Sequence, residues 1–187
     1  MRKSLIVTSL LAFIATSVFA IEAKNGTFIS LEVGSTSYDV KVEYKTFPFS
    51  YTLSESGGSQ ALKAGKYLGE VGRVYATIGR VNAEDSILNY GLGYDYLIYN
   101  SSDFTPFLGA TLGYQQVDID NTSLNLSGLT YGLELGVDYS INKNFDIELG
   151  YRMNFNSNSD AITTSYGSVE LTIENTKMWY IGANYNF

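Results

Sequence analysis

Trp179-Tyr180-Ile181-Gly182-Ala183-Asn184-Tyr185-Asn186-Phe187 carries an apolar side chain at every odd position. Alternate side chains leave a strand by opposite faces, so Trp179, Ile181, Ala183, Tyr185 and Phe187 share one side. Tyr180, Gly182, Asn184 and Asn186 share the other. A two-sided strand with a terminal aromatic on its greasy face needs an apolar surround there, and a membrane supplies one most simply.

The same pattern runs backwards through the chain. In Phe145-Asp146-Ile147-Glu148-Leu149-Gly150-Tyr151-Arg152-Met153-Asn154-Phe155 the odd positions are large and apolar, and the even ones are charged, amide or glycine. Ahead of it Leu129, Tyr131, Leu133, Leu135, Val137 and Tyr139 form one face, with Thr130, Gly132, Glu134, Gly136 and Asp138 opposite. The polar turn Ile141-Asn142-Lys143-Asn144 joins the two runs as a hairpin. A second hairpin sets Leu88, Tyr90, Leu92, Tyr94, Tyr96 and Ile98 against Leu108, Ala110, Leu112 and Tyr114, with Pro106 near the start of its second arm, where a missing N–H is tolerable.

The front of the chain is less regular. Ile29, Leu31 and Val33 alternate with Ser30, Glu32 and Gly34, and Val74, Ala76 and Ile78 alternate with Arg73, Tyr75, Thr77 and Gly79. Between these, a strand is expected at about 60–67, with Leu62 and Ala64 outward and Lys63 inward. The total is eight strands, each near the length that crosses a bilayer at a tilt. Turns at 68–70, 101–104 and 141–144 then fall on one side and are short. Connections at 37–57, 83–85, 119–125 and 157–170 fall on the other and include the longest, the arrangement of bacterial outer-membrane barrels.

Composition agrees with one all-β domain: 187 residues with no Cys, no His, two Pro, and Gly, Tyr and Phe at 18, 16 and 10. The absence of Cys removes disulfides, thiol chemistry and a lipidated N-terminus. Met1-Arg2-Lys3 is basic, Leu5 to Ile14 is mostly apolar, and Val18-Phe19-Ala20 offers small cleavage-site residues, so residues 1–20 read as a secretory signal peptide and the barrel as residues 21–187. An uncleaved anchor is the alternative, but this run is short for a spanning helix and contains Thr8, Ser9, Thr16 and Ser17. Losing Arg2 and Lys3 takes the formal charge from −7 to −9, which leaves no basic footprint for nucleic acid.

Alternation alone does not separate a membrane barrel from a soluble lipocalin-like one, whose apolar face turns inward. Volume does. An eight-stranded interior barely holds its own side chains, and Tyr, Phe, Leu, Ile and Trp occupy nearly every position of one face. The opposite face holds Gly34, Gly79, Gly91, Gly93, Gly109, Gly113, Gly132, Gly136, Gly150 and Gly182, which leave room for a few charged chains. The expected fold is therefore an all-β, eight-stranded, antiparallel up-and-down transmembrane barrel, with aromatic girdles near both interfaces.

With Thr105-Pro106-Phe107-Leu108-Gly109, Leu112-Gly113-Tyr114, Asn144-Phe145, Leu149-Gly150-Tyr151-Arg152 and the terminal aromatic in place, residues 26–187 resemble the small outer-membrane β-barrel family that includes the OmpA transmembrane domain and the OmpX-like proteins. The resemblance implies a bacterial outer-membrane location and insertion by the barrel-assembly machinery, which in this family reads the last strand, here Trp179, Ile181, Ala183, Tyr185 and Phe187. It also implies a barrel with no wall-binding domain.

Inward charges are the first functional candidates: Glu32, Lys63, Arg73, Asp95, Glu134, Glu148 and Arg152. Buried charge is costly unless paired, so Arg73 and Arg152 are expected to meet carboxylates across the lumen. Such a network either plugs the barrel or gates a narrow ion path. Arg80 and Lys177 continue the outward parity at the height of the outer leaflet's phosphates and are candidates for lipopolysaccharide contact, with a solvated rim as the bland account. Tyr38, Tyr44, Phe47, Phe49 and Tyr51 fall in the long loop 37–57 and are candidates for binding a partner. Val169-Glu170-Leu171-Thr172-Ile173 keeps the parity of the final strand, so that strand either extends the wall or presents an edge for strand addition.

Enzyme chemistry lacks its usual base, since the chain has no His. No cofactor is expected, and a metal site would have to be all-oxygen, with no acidic loop of calcium spacing. The expected function is a structural or surface-interaction role for a monomeric barrel working through its extracellular loops. The alternatives are a narrow gated channel and a secreted lipocalin-like binding barrel.

Overall fold

In a computed structural model, eight antiparallel strands close into a barrel in chain order. They are β1 (Thr27–Tyr44), β2 (Phe49–Tyr67), β3 (Gly72–Asn82), β4 (Ser86–Leu97), β5 (Phe104–Asp118), β6 (Gly128–Asn142), β7 (Phe145–Thr164) and β8 (Gly167–Asn186). The structure describes residues 24–45, 49–82, 86–118, 126–164 and 167–187. The expected signal peptide, Phe47 and the connections 83–85 and 119–125 lie outside them. Closure is made by β1 against β8, from Phe28 opposite Asn186 upward, so no strand at the level of the barrel wall is left with an open edge.

Side-chain direction follows from the alternation. Leu31, Ile78, Leu92, Leu112, Leu133, Leu149 and Ile181 all face outward and are exposed. The lipocalin-like alternative needs Leu133, Leu149 and Ile181 at the axis, and it fails on this point. Glu32, Lys63, Arg73, Asp95, Glu134 and Glu148 are enclosed.

Strand lengths are unequal: β3 and β4 have 11 and 12 residues, β7 and β8 have 20 each. At about 3.3 Å per residue the difference is roughly 25–30 Å. The long strands β7, β8, β1 and β2 are consecutive around the barrel, so they rise together above the rim of β3–β6 as a four-stranded sheet. Within the expected loops 37–57 and 157–170, the segments 37–44, 49–57, 157–164 and 167–170 are therefore strand: Tyr38 pairs with Glu55 and Tyr44 with Phe49, and Ser159 pairs with Thr172. The second strand likewise begins at Phe49, well before residue 60. Ser, Thr and Gly crowd these segments, which hides them from a search for apolar runs, while cross-strand pairing carries them.

The register slips by one on both sides of Glu174, between Asp39 and Val40 on β1 and between Phe155 and Asn158 on β7. A bulge of this kind moves every later side chain to the other face. Trp179 is 62% exposed on the outside, whereas Ile173 is 2% exposed on the inside, so Val169, Leu171 and Ile173 do not keep the outward parity expected of them. Nor does β8 offer an edge, because β1 and β7 flank it throughout. The unpaired edges of the rising sheet belong to β2 above Gly58, where β3 ends opposite at Asn82, and to β7 above Asn156, the last partner of β6.

Candidate functional site

The interior is built in layers, starting from the end where the turns are short. Phe28, Tyr67, Leu97 and Phe107 are buried together there, and the Arg73 guanidinium lies 4.9 Å from the Phe107 ring and 5.4 Å from the Phe28 ring. Arg73 spends its donors on three carboxylates, Nε on Asp95 at 2.7 Å, Nη1 on Asp138 at 3.1 Å and Nη2 on Glu148 at 2.8 Å. Below it Tyr67 donates to Asn186, which donates to Asp146, and Lys24 closes that chain at Asp146.

One layer up, the Lys63 ammonium is 2.6 Å from Glu32, 3.1 Å from Glu148 and 3.4 Å from Glu134, and 4.5 Å from the centre of the Tyr75 ring. Arg152 donates through Nε to Glu134 at 2.5 Å and through Nη2 to Glu32 at 3.3 Å. The Tyr180 hydroxyl lies within hydrogen-bond reach of both Glu134 and Glu148, and Asn184 donates to Asp138 and Glu148. Partnered carboxylates and cations of this kind are the condition under which buried charge is tolerated. Oxygens of Glu32, Glu134 and Glu148 lie within 4.8 Å of one another, a spacing that suits a metal ion; the ammonium of Lys63 is the cation they hold.

Above the ions comes a polar chamber of about 60 Å³ lined by Thr36, Ser59, Thr77, Asn89, Thr111, Thr130, Asn154 and Thr176, with room for a few waters. It is roofed by an apolar layer of Tyr38, Val81, Ile87, Val117, Leu126 and Ile173. The lumen thus alternates aromatic, ionic, polar and apolar.

All seven charges expected in the lumen meet in one connected network. Sequence reading missed Asp138, Tyr75, Tyr180, Asn184 and the aromatic floor. Each stands at an inward position of its strand, so parity was the available signal. Weighting charge over aromatics is what hid the rings.

The other candidates distribute unevenly. Trp179, Ile181, Ala183, Tyr185 and Phe187 line the exterior, and the Tyr151 and Trp179 rings meet there at 4.6 Å. Arg80 faces outward on β3. Lys177 faces outward too, but its ammonium is 3.1 Å from Asp39, so its charge is shared with a neighbour. Tyr38, expected on an exposed loop, is 4% exposed and bonds Glu55 at 2.7 Å; its even position on β1 points it over the lumen. Tyr44, Phe49 and Tyr51 do cluster, with ring centres 6.0 to 6.5 Å apart, near the tip of the rising sheet.

That sheet reverses the polarity of the barrel. In the wall, β1 sends Ile29, Leu31 and Val33 outward and Ser30, Glu32 and Thr36 inward. Higher up it sends Ser37, Asp39, Lys41 and Glu43 outward and Tyr38, Val40 and Val42 inward. Such a switch marks where lipid gives way to water on the outer side. The polar face is tied by Lys45, 2.6 Å from Glu170 and 3.3 Å from Glu43.

No protein-family model matches the sequence, and no curated protein matches it closely enough to count as a relative. The fold has solved counterparts. The outer membrane protein OprG from Pseudomonas aeruginosa superposes with a TM-score of 0.68 at 14% identity, over 89% of this chain and 99% of that one. Neisserial surface protein A gives 0.58 at 19% identity over 84% and 97%. The N-terminal β-barrel domain of Pseudomonas aeruginosa OprF gives 0.57 at 12% identity over 88% and 100%. At these identities the likeness is one of fold: the chain has the fold of the small outer-membrane β-barrels.

Proposed function

We propose that this chain, sharing its fold with small outer-membrane proteins, is a non-enzymatic surface protein of a bacterial outer membrane that engages an extracellular partner through the sheet rising from β7, β8, β1 and β2. The observation that carries the reading is the Tyr44–Phe49–Tyr51 ring cluster, held above the rim of a barrel whose lumen is crossed by the Lys63–Arg152 ion network. Exposed aromatics on a rigid support give large contact area at low entropic cost. The free β2 edge at 49–57, with its β-prone Phe-Ser-Tyr-Thr-Leu run, adds a backbone surface that a partner strand can extend. The reading includes residues 1–20 as the export signal, Trp179 to Phe187 as the signal for assembly, a monomeric barrel, and Arg80 with Lys177 against lipopolysaccharide phosphates.

The test is binding of cells displaying the protein to host-cell or abiotic surfaces, with Tyr44, Phe49 and Tyr51 replaced together by Ser. Lost binding with an unchanged heat-modifiable gel shift supports the proposal; unchanged binding rejects it. A second reading, a narrow gated channel, draws on the polar chamber directly above the Lys63–Arg152 network. It requires planar-bilayer conductance that changes in Arg152→Ala, and silent bilayers from both proteins remove it.

A further inference from the structure

Where the rising sheet leaves the barrel, its inner face bounds a partly open cavity of about 150 Å³, with Leu53 half exposed at its mouth. Val40, Val42, Leu53, Ile87, Val117 and Ile173 supply much of its wall. Its polar groups are the Glu55 carboxylate and the Tyr38 hydroxyl, and these bond each other. A space of this volume with largely aliphatic walls has the size for a benzene-sized guest. Its lining is not continuous with the lipid face, because it lies on the inward side of β1, β2 and β8, above the polarity switch.

We propose that this cavity is a binding site for a compact, uncharged, apolar molecule of roughly the size of a single aromatic ring. Size, wall chemistry and the absence of an unpaired donor among the described wall residues all select such a guest. A carboxylate-bearing guest is disfavoured twice, by Glu55 at the wall and by the lack of a cation among those residues. Below the cavity lie the polar chamber and then the ionic layer, so an apolar guest has no favourable path onward. The site holds its ligand and does not pass it through the barrel. This inference concerns the base of the sheet and stands apart from partner binding at its tip, so either can fail alone.

The test uses the full mature chain in lipid nanodiscs, with benzene as the probe and methyl NMR as the readout. Saturable shifts of the Ile87, Val117 and Ile173 methyls are expected, while Leu133 and Leu149 methyls on the lipid face follow benzene partitioning without saturating. Val117→Phe fills the space from within and Leu53→Trp from the rim; each should abolish the saturable shift while keeping the heat-modifiable mobility of the folded barrel. Benzoate should produce no saturable shift. The proposal is overturned if the inner methyls do not saturate with benzene, if both filling variants respond as the parent does, or if benzoate binds as benzene does.

Discussion

The Tyr180 ring lies directly across the strand pair from Gly150, and so close that a Cβ on Gly150 would stand 2.2 Å from the ring's Cζ. The relation recurs around the lumen. Tyr75 covers Gly93 at the same 2.2 Å, and Phe107 covers Gly136 at 2.5 Å. Each of these three rings lies over a glycine on a neighbouring strand, which is how an eight-stranded tube accommodates them beside its ion pairs. The rings then return the favour by facing the cations, Lys63 against Tyr75 and Arg152 against Tyr180 at 5.1 Å.

Gly150→Ala should therefore destabilise the barrel, because the added methyl meets a ring that is itself bonded to Glu134 and Glu148. Overpacking of a tight interior costs about 1–3 kcal/mol. Gly58→Ala is the control, since nothing lies within 4 Å of its Cβ position. Urea unfolding followed by the fluorescence of Trp179, the single tryptophan, measures both; equal midpoints for the two variants would contradict the packing account.

The wall of the barrel was legible because period-2 alternation is strict in β4 to β8 up to Trp179, and the seven lumen charges fell out of the same parity. The rising sheet was not. On β1 its sign lies in plain sequence, as the phase of apolar residues passes from Ile29, Leu31 and Val33 to Tyr38, Val40 and Val42, but a search for one continuous greasy face reads that change as a loop. On β8 the sequence keeps its phase and the backbone changes face instead, through the bulge at Glu174. Alternation cannot reveal a bulge, so Ile173 was assigned to the wrong side. Parity puts Asp138 on the inward face, but which carboxylates Arg73 meets across the lumen depends on three-dimensional closure.

Lys63→Ala removes the cation from between three carboxylates. Leaving buried charge without its partner costs about 3–5 kcal/mol, so the variant should lose most of its resistance to urea. The oxygens left behind match the all-oxygen shell of Ca²⁺, whose ligands stand at roughly 2.3–2.6 Å. Refolding the variant with millimolar CaCl₂ should recover part of the loss, whereas the parent should not respond. A variant equally unstable with and without calcium would show that the carboxylates spread apart once the ammonium is gone.

Leu133 is 63% exposed near the middle of the outward run of β6. Placing Arg there should cost about 2–4 kcal/mol in a bilayer, against about 0–1 kcal/mol for Leu129→Arg nearer the interface. Equilibrium refolding into vesicles gives both values. A Leu133→Arg cost no larger than that of Leu129→Arg would put the hydrocarbon band elsewhere.

Acidification should loosen the rising sheet from its tip. The Ser54 hydroxyl and then Lys177 hold the Asp39 carboxyl below the usual carboxylate range; Lys45 does the same for Glu43, helped by Lys41, and for Glu170, helped by Ser159. Carboxylates whose folded values are depressed add stability above their unfolded values of roughly 4, and that stability fades as pH falls through the folded ones. Glu170 and then Glu43 raise Lys45, so its contribution is complete below about 10.4 and fades only as pH rises through the higher folded value. The ties are whole near neutrality and fail on the acid side first. Amide exchange at 37–45 and 167–173, corrected for intrinsic rates, should speed up as pH drops from about 5 to 3, less so in Lys45→Met and less so in strong salt. Tip protection that stays flat over this range in the parent protein would mean that backbone pairing alone holds the sheet.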